Sequence, residues 1–444
     1  MSRKRMDYKI LIAVTLSLLF IISILLRYLF RIEDTLPYSV LWFMGFSLVL
    51  LLVKHNTLAK REFFFHLISD LIAIGYLLFL LRNEDLTNPS FLTESKNDER
   101  AFWSIASMYL EGDFRAHLSL YPYILYFEFL VFGKNYLCCA LLNVFLVQIM
   151  KALFCINIKK IVESENIRAF SSAIICFFPY SFLISVHLYR EAIYIFLTFL
   201  SFWFYSRYIL ENKETYFLFA AALILSVVYM HIGYIAILII YAIGYIHDQK
   251  DNPKRIYRII PMLVVLIAAF LLSWRSTAAE TYFKTGSSAN LLEATLARLG
   301  TQSGEVARAG STYLRNIRIH NVWQLILFTP VKTFYYLFSP LPMNWRGLSD
   351  IVAFMLDSVF HIIIIIGALK VLLKPKRYSL STSKYRILMA SFMIVLFSAV
   401  IFGLGTSTAG TALRHRDSLI GIEGMILALV LEAGVYKTPV LKID

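Results

Sequence analysis

An all-α, polytopic transmembrane helix bundle is the fold class the sequence predicts, and three observations predict it. Only 16% of the residues are charged and 59% are hydrophobic, whereas charged residues make up about a quarter of a soluble domain. Apolar runs near the roughly 20 residues that cross a hydrocarbon core recur from Tyr8 to the C-terminal end. Lys and Arg gather in short clusters between these runs, the pattern that marks loops kept on the cytoplasmic side. Residues 1–444 therefore read as a single integral membrane domain of about twelve spans with additional outer-face juxtamembrane helices.

The first run, 8–30, follows Arg3, Lys4 and Arg5 and is too long for a signal-peptide core, so it reads as a retained span with the N-terminus cytoplasmic. Spans at 37–53 and 63–81 follow, with Lys54, Lys60 and Arg61 on the inner return. Outer loop 82–133 includes an apolar piece, 118–132, whose treatment as a span would put Lys151, Lys159, Lys160 and Arg168 on the wrong side. It is expected to be a helix in the outer face instead. Spans at 136–157, 169–188, 191–209, 215–230, 233–247 and 259–274 come next, with Lys250, Lys254, Arg255 and Arg258 inside. A second outer loop, 275–349, holds the helix-spaced run ANLLEATLAR and another outer-face helix, 322–338. Spans at 350–372, 385–402 and 418–435 place the KPKR run at 374–377 and the C-terminus inside.

The net charge of +14 is spread over those loops instead of forming one basic stripe, so nucleic acid is not an expected partner. Cys138, Cys139, Cys155 and Cys176 all fall within apolar runs and lack metal-ligand spacing. They read as small core residues, with no metal centre expected. No Walker loop or HExxH run occurs, which argues against a nucleotide-driven pump.

The ionisable clusters collect on the outer side, which makes loops 82–133 and 275–349 the expected active-site face. Asp98 and Glu99 open an amphipathic helix. There they complement the helix dipole, and a carboxylate at a half-dry interface can also act as a general base toward a hydroxyl. Arg414, His415 and Arg416 stand before the last span on the side where cations are disfavoured, and guanidinium forks suit phosphate oxygens. Arg190 and Glu191 share a hairpin tip with His187, either as a structural pair or as site residues.

This arrangement resembles the GT-C class of membrane glycosyltransferases that use polyprenyl-phosphate sugars. The carrying residues are the Asp98-Glu99 pair with AFWSIASMYLEGDF, then His117 with Leu120, Tyr121 and Pro122, Glu191 after the next hairpin, and the RHR run at 414–416. The resemblance covers roughly residues 95–250 and the last forty. Three spans precede the Asp-Glu loop where the class commonly has one, and Leu118 and Ser119 follow His117 where a His-Pro-Pro run is usual.

The resemblance implies a GT-C-like fold and sugar transfer from a polyprenyl-phosphate donor to a lipid-linked or surface glycan at the outer face of a bacterial inner membrane. Asp98 would be the base and Glu99 its supporting carboxylate. Arg414, His415 and Arg416 would hold the lipid phosphate, with Arg190, Glu191 and His117 as further substrate contacts. No cofactor or obligate metal is implied, and inversion or retention stays open. Two alternatives remain: an O-antigen or exopolysaccharide polymerase using undecaprenyl-pyrophosphate oligosaccharides, which suits the basic loop 275–320, and a lipid-linked sugar flippase.

Overall fold

The computed structural model describes residues 60–94, 98–114, 120–249, 267, 311–314, 319, 321–378 and 380–435. The expected spans 8–30, 37–53 and 259–274, the ANLLEATLAR helix and His117 lie outside the described residues. The described residues are predominantly helical, with an isolated bridge between Thr312 and Thr408. The chain divides into two compact units, Met1–Lys160 with Arg168–Phe196 and Ile161–Ile167 with Leu197–Asp444.

The first unit contains α1 (Lys60–Leu81), α2 (Ser90–Glu94), α3 (Asp98–Leu110), α4 (Tyr121–Phe132), α5 (Tyr136–Ile161) but for its last residue, α6 (Glu165–Cys176) from Arg168 onward, and α7 (Pro179–Val186). Helix α3 follows from its sequence. Asp98 and Glu99 occupy the first turn, where acids favour the dipole, and Phe102, Trp103, Ala106 and Tyr109 recur at helical spacing and are buried. Gly112 ends it at φ 89°, with its N–H donating to Tyr109 O and that of Asp113 to Met108 O, the double bond of a Schellman cap. Helix α4 packs on α3 through Trp103 against Phe129 and Phe102 against Tyr121.

The expected span 169–188 is not one straight helix. Helices α6 and α7 meet at a bend of 42°. Pro179 lacks an N–H and pushes Phe178 to an extended conformation at ψ 118°, so the backbone ladder stops there.

Helix α8 (Glu191–Glu211) starts in the first unit and its remainder belongs to the second. The second unit continues with α9 (Glu214–Met230), α10 (Ile235–Asp248), α11 (Val322–Phe338), α12 (Leu348–Leu373), α13 (Thr382–Gly405), α14 (Ala409–Asp417) and α15 (Ile420–Val435). Helix α12 contains one π-helical stretch, Phe354–Ser358. Asn321, Ser381 and Thr408 cap α11, α13 and α14 through side-chain oxygens. Helix α13 is central to the unit and packs on α10, α11 and α15.

Five helices among the described residues are long and apolar enough to cross a membrane: residues 64–81 of α1, then α5, α8, α12 and α13. The bent pair α6–α7, long and apolar enough only when its two helices are taken together, is either a sixth, broken span or a re-entrant loop. Helices α9 and α10 have 17 and 14 residues, so the runs expected at 215–230 and 233–247 form shorter helices than a straight crossing of about 20 residues requires. This is a helical membrane protein.

Candidate functional site

In the first unit the structure separates the two acids that open α3. Asp98 is exposed, while Glu99 is only 2% exposed. Glu99 Oε1 accepts from the Tyr136 hydroxyl and, at 2.7 Å, from the backbone N–H of Leu188. Its Oε2 lies 3.3 Å from His187 Nδ1. One carboxylate thus ties the start of α3 to the first residue of α5 and to the turn after α7. A carboxylate that accepts two strong hydrogen bonds and faces an imidazole is a fixed anchor, and its lone pairs are largely committed.

The same unit holds Arg190 half-buried, its guanidinium 5.8 Å above the Phe102 ring and 6.0 Å above that of Tyr194. Glu191, buried at 2% exposure, sits in the first turn of α8, where a carboxylate is favoured. Glu99, His187 and Arg190 are therefore gathered around α3. An aromatic group flanks the far end of this helix: Tyr109 stacks at 4.7 Å on Tyr123 and at 5.4 Å on Phe114.

The RHR run belongs to the second unit and is split just as sharply. Arg416 is 1% exposed. Its guanidinium is ion-paired with Asp357 in the π-helical part of α12 and donates to the carbonyls of Tyr336 and, at 2.6 Å, Ser339 at the end of α11. Those carbonyls belong to the last turn and the cap of α11, where a helix lacks its own donors and favours a cation. His361 continues the network, with Nδ1 2.8 Å from Asp357 O and Nε2 2.8 Å from Glu423 Oε1. Both ring nitrogens face oxygen acceptors, so a proton is needed on each nitrogen or on Glu423.

His415 is buried and stacks on Phe402 at 4.7 Å, with His231 5.2 Å away. Arg414, half-buried, is the most accessible of the three, because two residues along a helix turn the side chain about 200° from Arg416.

Segment 311–314, from the end of the long basic loop, is pinned beside this run. Tyr313 N donates to Ser407 O at 2.9 Å and Ala409 N to Ser311 O at 3.0 Å, while the Tyr313 hydroxyl reaches Thr406 O at 3.2 Å. The backbone of the Thr406 to Ala409 stretch is thereby partly occupied by the chain itself.

Sequence reasoning missed Tyr136, Asp357, His361 and Glu423. Asp357, His361 and Glu423 are polar residues inside apolar runs, and that placement is the signal that could have found them, whereas Tyr136 follows Lys134 and Asn135 at the start of its run and carries no such signal. No protein-family model, curated protein or solved structure matches the chain.

Proposed function

We propose that this protein is a polyprenyl-phosphate-sugar-dependent glycosyltransferase of GT-C-like fold, with about twelve spans in a bacterial inner membrane and both termini cytoplasmic. The observation that carries the proposal is the division of labour at the start of α3: Glu99 is buried and held from three sides, which fixes a neighbouring exposed carboxylate, Asp98. Asp98 is the base that takes the proton of an acceptor hydroxyl. Glu99 is its positioning residue, since a base must be held in place more than it must be strong.

His187 and Arg190, in the turn between α7 and α8 beside α3, contact substrate. The stacked rings of Tyr109, Tyr123 and Phe114 offer the apolar faces on which a sugar ring packs. A separate part of the proposal concerns the second unit, where Arg414 contacts the lipid phosphate while Arg416 and His415 maintain its helix. The reading needs no nucleotide, and the acceptor is a lipid-linked or surface glycan.

The test compares polyprenyl-linked intermediates and surface glycans, by mass spectrometry, in cells carrying wild type, Asp98→Asn or Arg414→Ala. The expected result is loss of one sugar from the glycan with accumulation of its lipid-phosphate donor in both variants. Accumulation of single repeat units on pyrophosphate lipid would establish a polymerase instead. Unchanged glycans in the Asp98→Asn strain would end the proposal.

A further inference from the structure

Three potential metal ligands that are far apart in the sequence meet in the first unit. His66 on α1, Cys155 on α5 and Cys176 at the end of α6 bring one imidazole nitrogen and two sulfurs within 4.8 Å of one another. All three are buried, at 1%, 0% and 0% exposure. The His66 Nε2 to Cys155 Sγ separation is 3.5 Å. A tetrahedral ion with bonds of about 2.0 Å to nitrogen and about 2.3 Å to sulfur places those two atoms about 3.5 Å apart. Both sulfurs are free thiols.

We propose that His66, Cys155 and Cys176 form a site for a soft transition-metal ion, zinc(II) in the first instance. Two thiolates and an imidazole are the donors such an ion selects. Binding releases the two thiol protons to solvent, and a divalent ion with two thiolates is neutral overall, the charge state that an apolar interior penalises least.

The site is also preorganised. Cys176 is the last residue before the α6–α7 break, so its carbonyl loses the intrahelical donor that a continuing helix would supply. Ser69 Oγ at 2.7 Å and Lys151 Nζ at 3.0 Å donate to that carbonyl, and Lys151 also donates to Ser69 Oγ at 2.9 Å. These bonds join the backbone of Cys176 to α1 and α5, the helices that carry the other two ligands. The Nε2 of His66 faces the Cys155 thiol at 3.5 Å, and an ion between them turns that contact into a bond from each group to one metal.

This inference is independent of the transferase reading, and its test uses metal content. The full-length protein is purified in detergent without chelator, equilibrated with zinc, passed over chelating resin and analysed by mass spectrometry of its metals. Roughly one zinc per chain is expected in the wild type and in a Cys138→Ser, Cys139→Ser control, falling below about a tenth in Cys155→Ser with Cys176→Ser. Cobalt(II) in the wild type should give the thiolate charge-transfer absorption, absent from the Cys155, Cys176 variant. Copper(I) at the same stoichiometry, lost in the same variant, would keep the site and change its ion. Wild-type protein that retains less than about a tenth of an equivalent of either metal overturns the proposal, whether or not the variants fold. Equal metal in the wild type and the Cys155, Cys176 variant overturns it as well.

Discussion

The charged run that opens α3 and the charged run that closes α14 are built on the same logic with opposite signs. At 98–99 the second acid is buried and the first exposed; at 414–416 the last cation is buried and the first half-exposed. In each run one residue joins elements of the fold, Glu99 through Tyr136 and Leu188, and Arg416 through Asp357 and the end of α11. The cause is geometric: an α-helix rotates about 100° per residue, so neighbouring charges cannot share one environment. A charged motif in a membrane helix thus contains both scaffold and chemistry. Only substitution residue by residue separates them.

The largest effect is expected where the charge is most deeply buried. Arg416→Leu leaves Asp357 without its cation, the Tyr336 carbonyl without the Arg416 donor, and the Ser339 carbonyl with only the Ser358 hydroxyl at 3.3 Å. It should cost about 3–5 kcal/mol of stability, the usual consequence of breaking a buried ion pair from one side. Adding Asp357→Leu should recover part of that loss, since an apolar pair avoids the desolvation cost. Unfolding in detergent, followed by circular dichroism, checks both. Equal stability of wild type and Arg416→Leu would place Arg416 with Arg414 and erase the contrast within the run.

A smaller loss is expected at Glu99. Replacement by Ala strands the Leu188 N–H, at about 1–3 kcal/mol for a buried group left unpaired, and leaves the Tyr136 hydroxyl only its long 3.5 Å bond to Val186 O. Glu99→Gln keeps an acceptor oxygen and should lose less. By contrast, Asp98→Asn and Arg414→Ala should leave stability within about 0.5 kcal/mol of wild type while abolishing sugar transfer. A stable but inactive Asp98→Asn beside an unstable Glu99→Ala would demonstrate the division of labour. If both variants were unstable, the two acids would share one structural role.

These particulars also show what was legible beforehand. Apolar runs and helix signals made most described helices readable, because both are local properties: the acids and periodic aromatics of α3 and the cap at Asn321 are written in consecutive residues. The bend before Pro179 was readable in principle from the proline but was hidden within an otherwise apolar stretch. The partition of each charged run was not legible, since burial of Glu99 depends on Leu188, 89 residues away, and that of Arg416 on the carbonyl of Ser339, 77 residues away. The meeting of His66 with Cys155 likewise spans 89 residues and leaves no local motif.

The smallest expected effect extends the comparison to one cation with two carboxylates. Lys384 Nζ lies 2.7 Å from Glu163 Oε1 and 3.2 Å from Glu432 Oε1, and the Glu163 N–H donates to Glu432 Oε1 at 2.7 Å. Glu432 is fully buried, whereas the Glu163 side chain is 70% exposed. The hydrogen bond from Lys384 and its charge hold the Glu163 carboxyl below its ordinary value of 4.5. A depressed acid contributes stability that is present above its unfolded pKa and lost as pH falls through its folded pKa. Glu163→Gln should therefore lower stability slightly at neutral pH, where the contribution is present, converge with the wild type as pH falls through the folded pKa, and lose that difference at high salt, where an exposed pair is screened. Glu432→Gln, which weakens a buried partner of both Lys384 and the Glu163 backbone, should destabilise at neutral pH and resist salt. If the two variants responded alike to salt, burial would not be what separates structural charge from solvated charge in this protein.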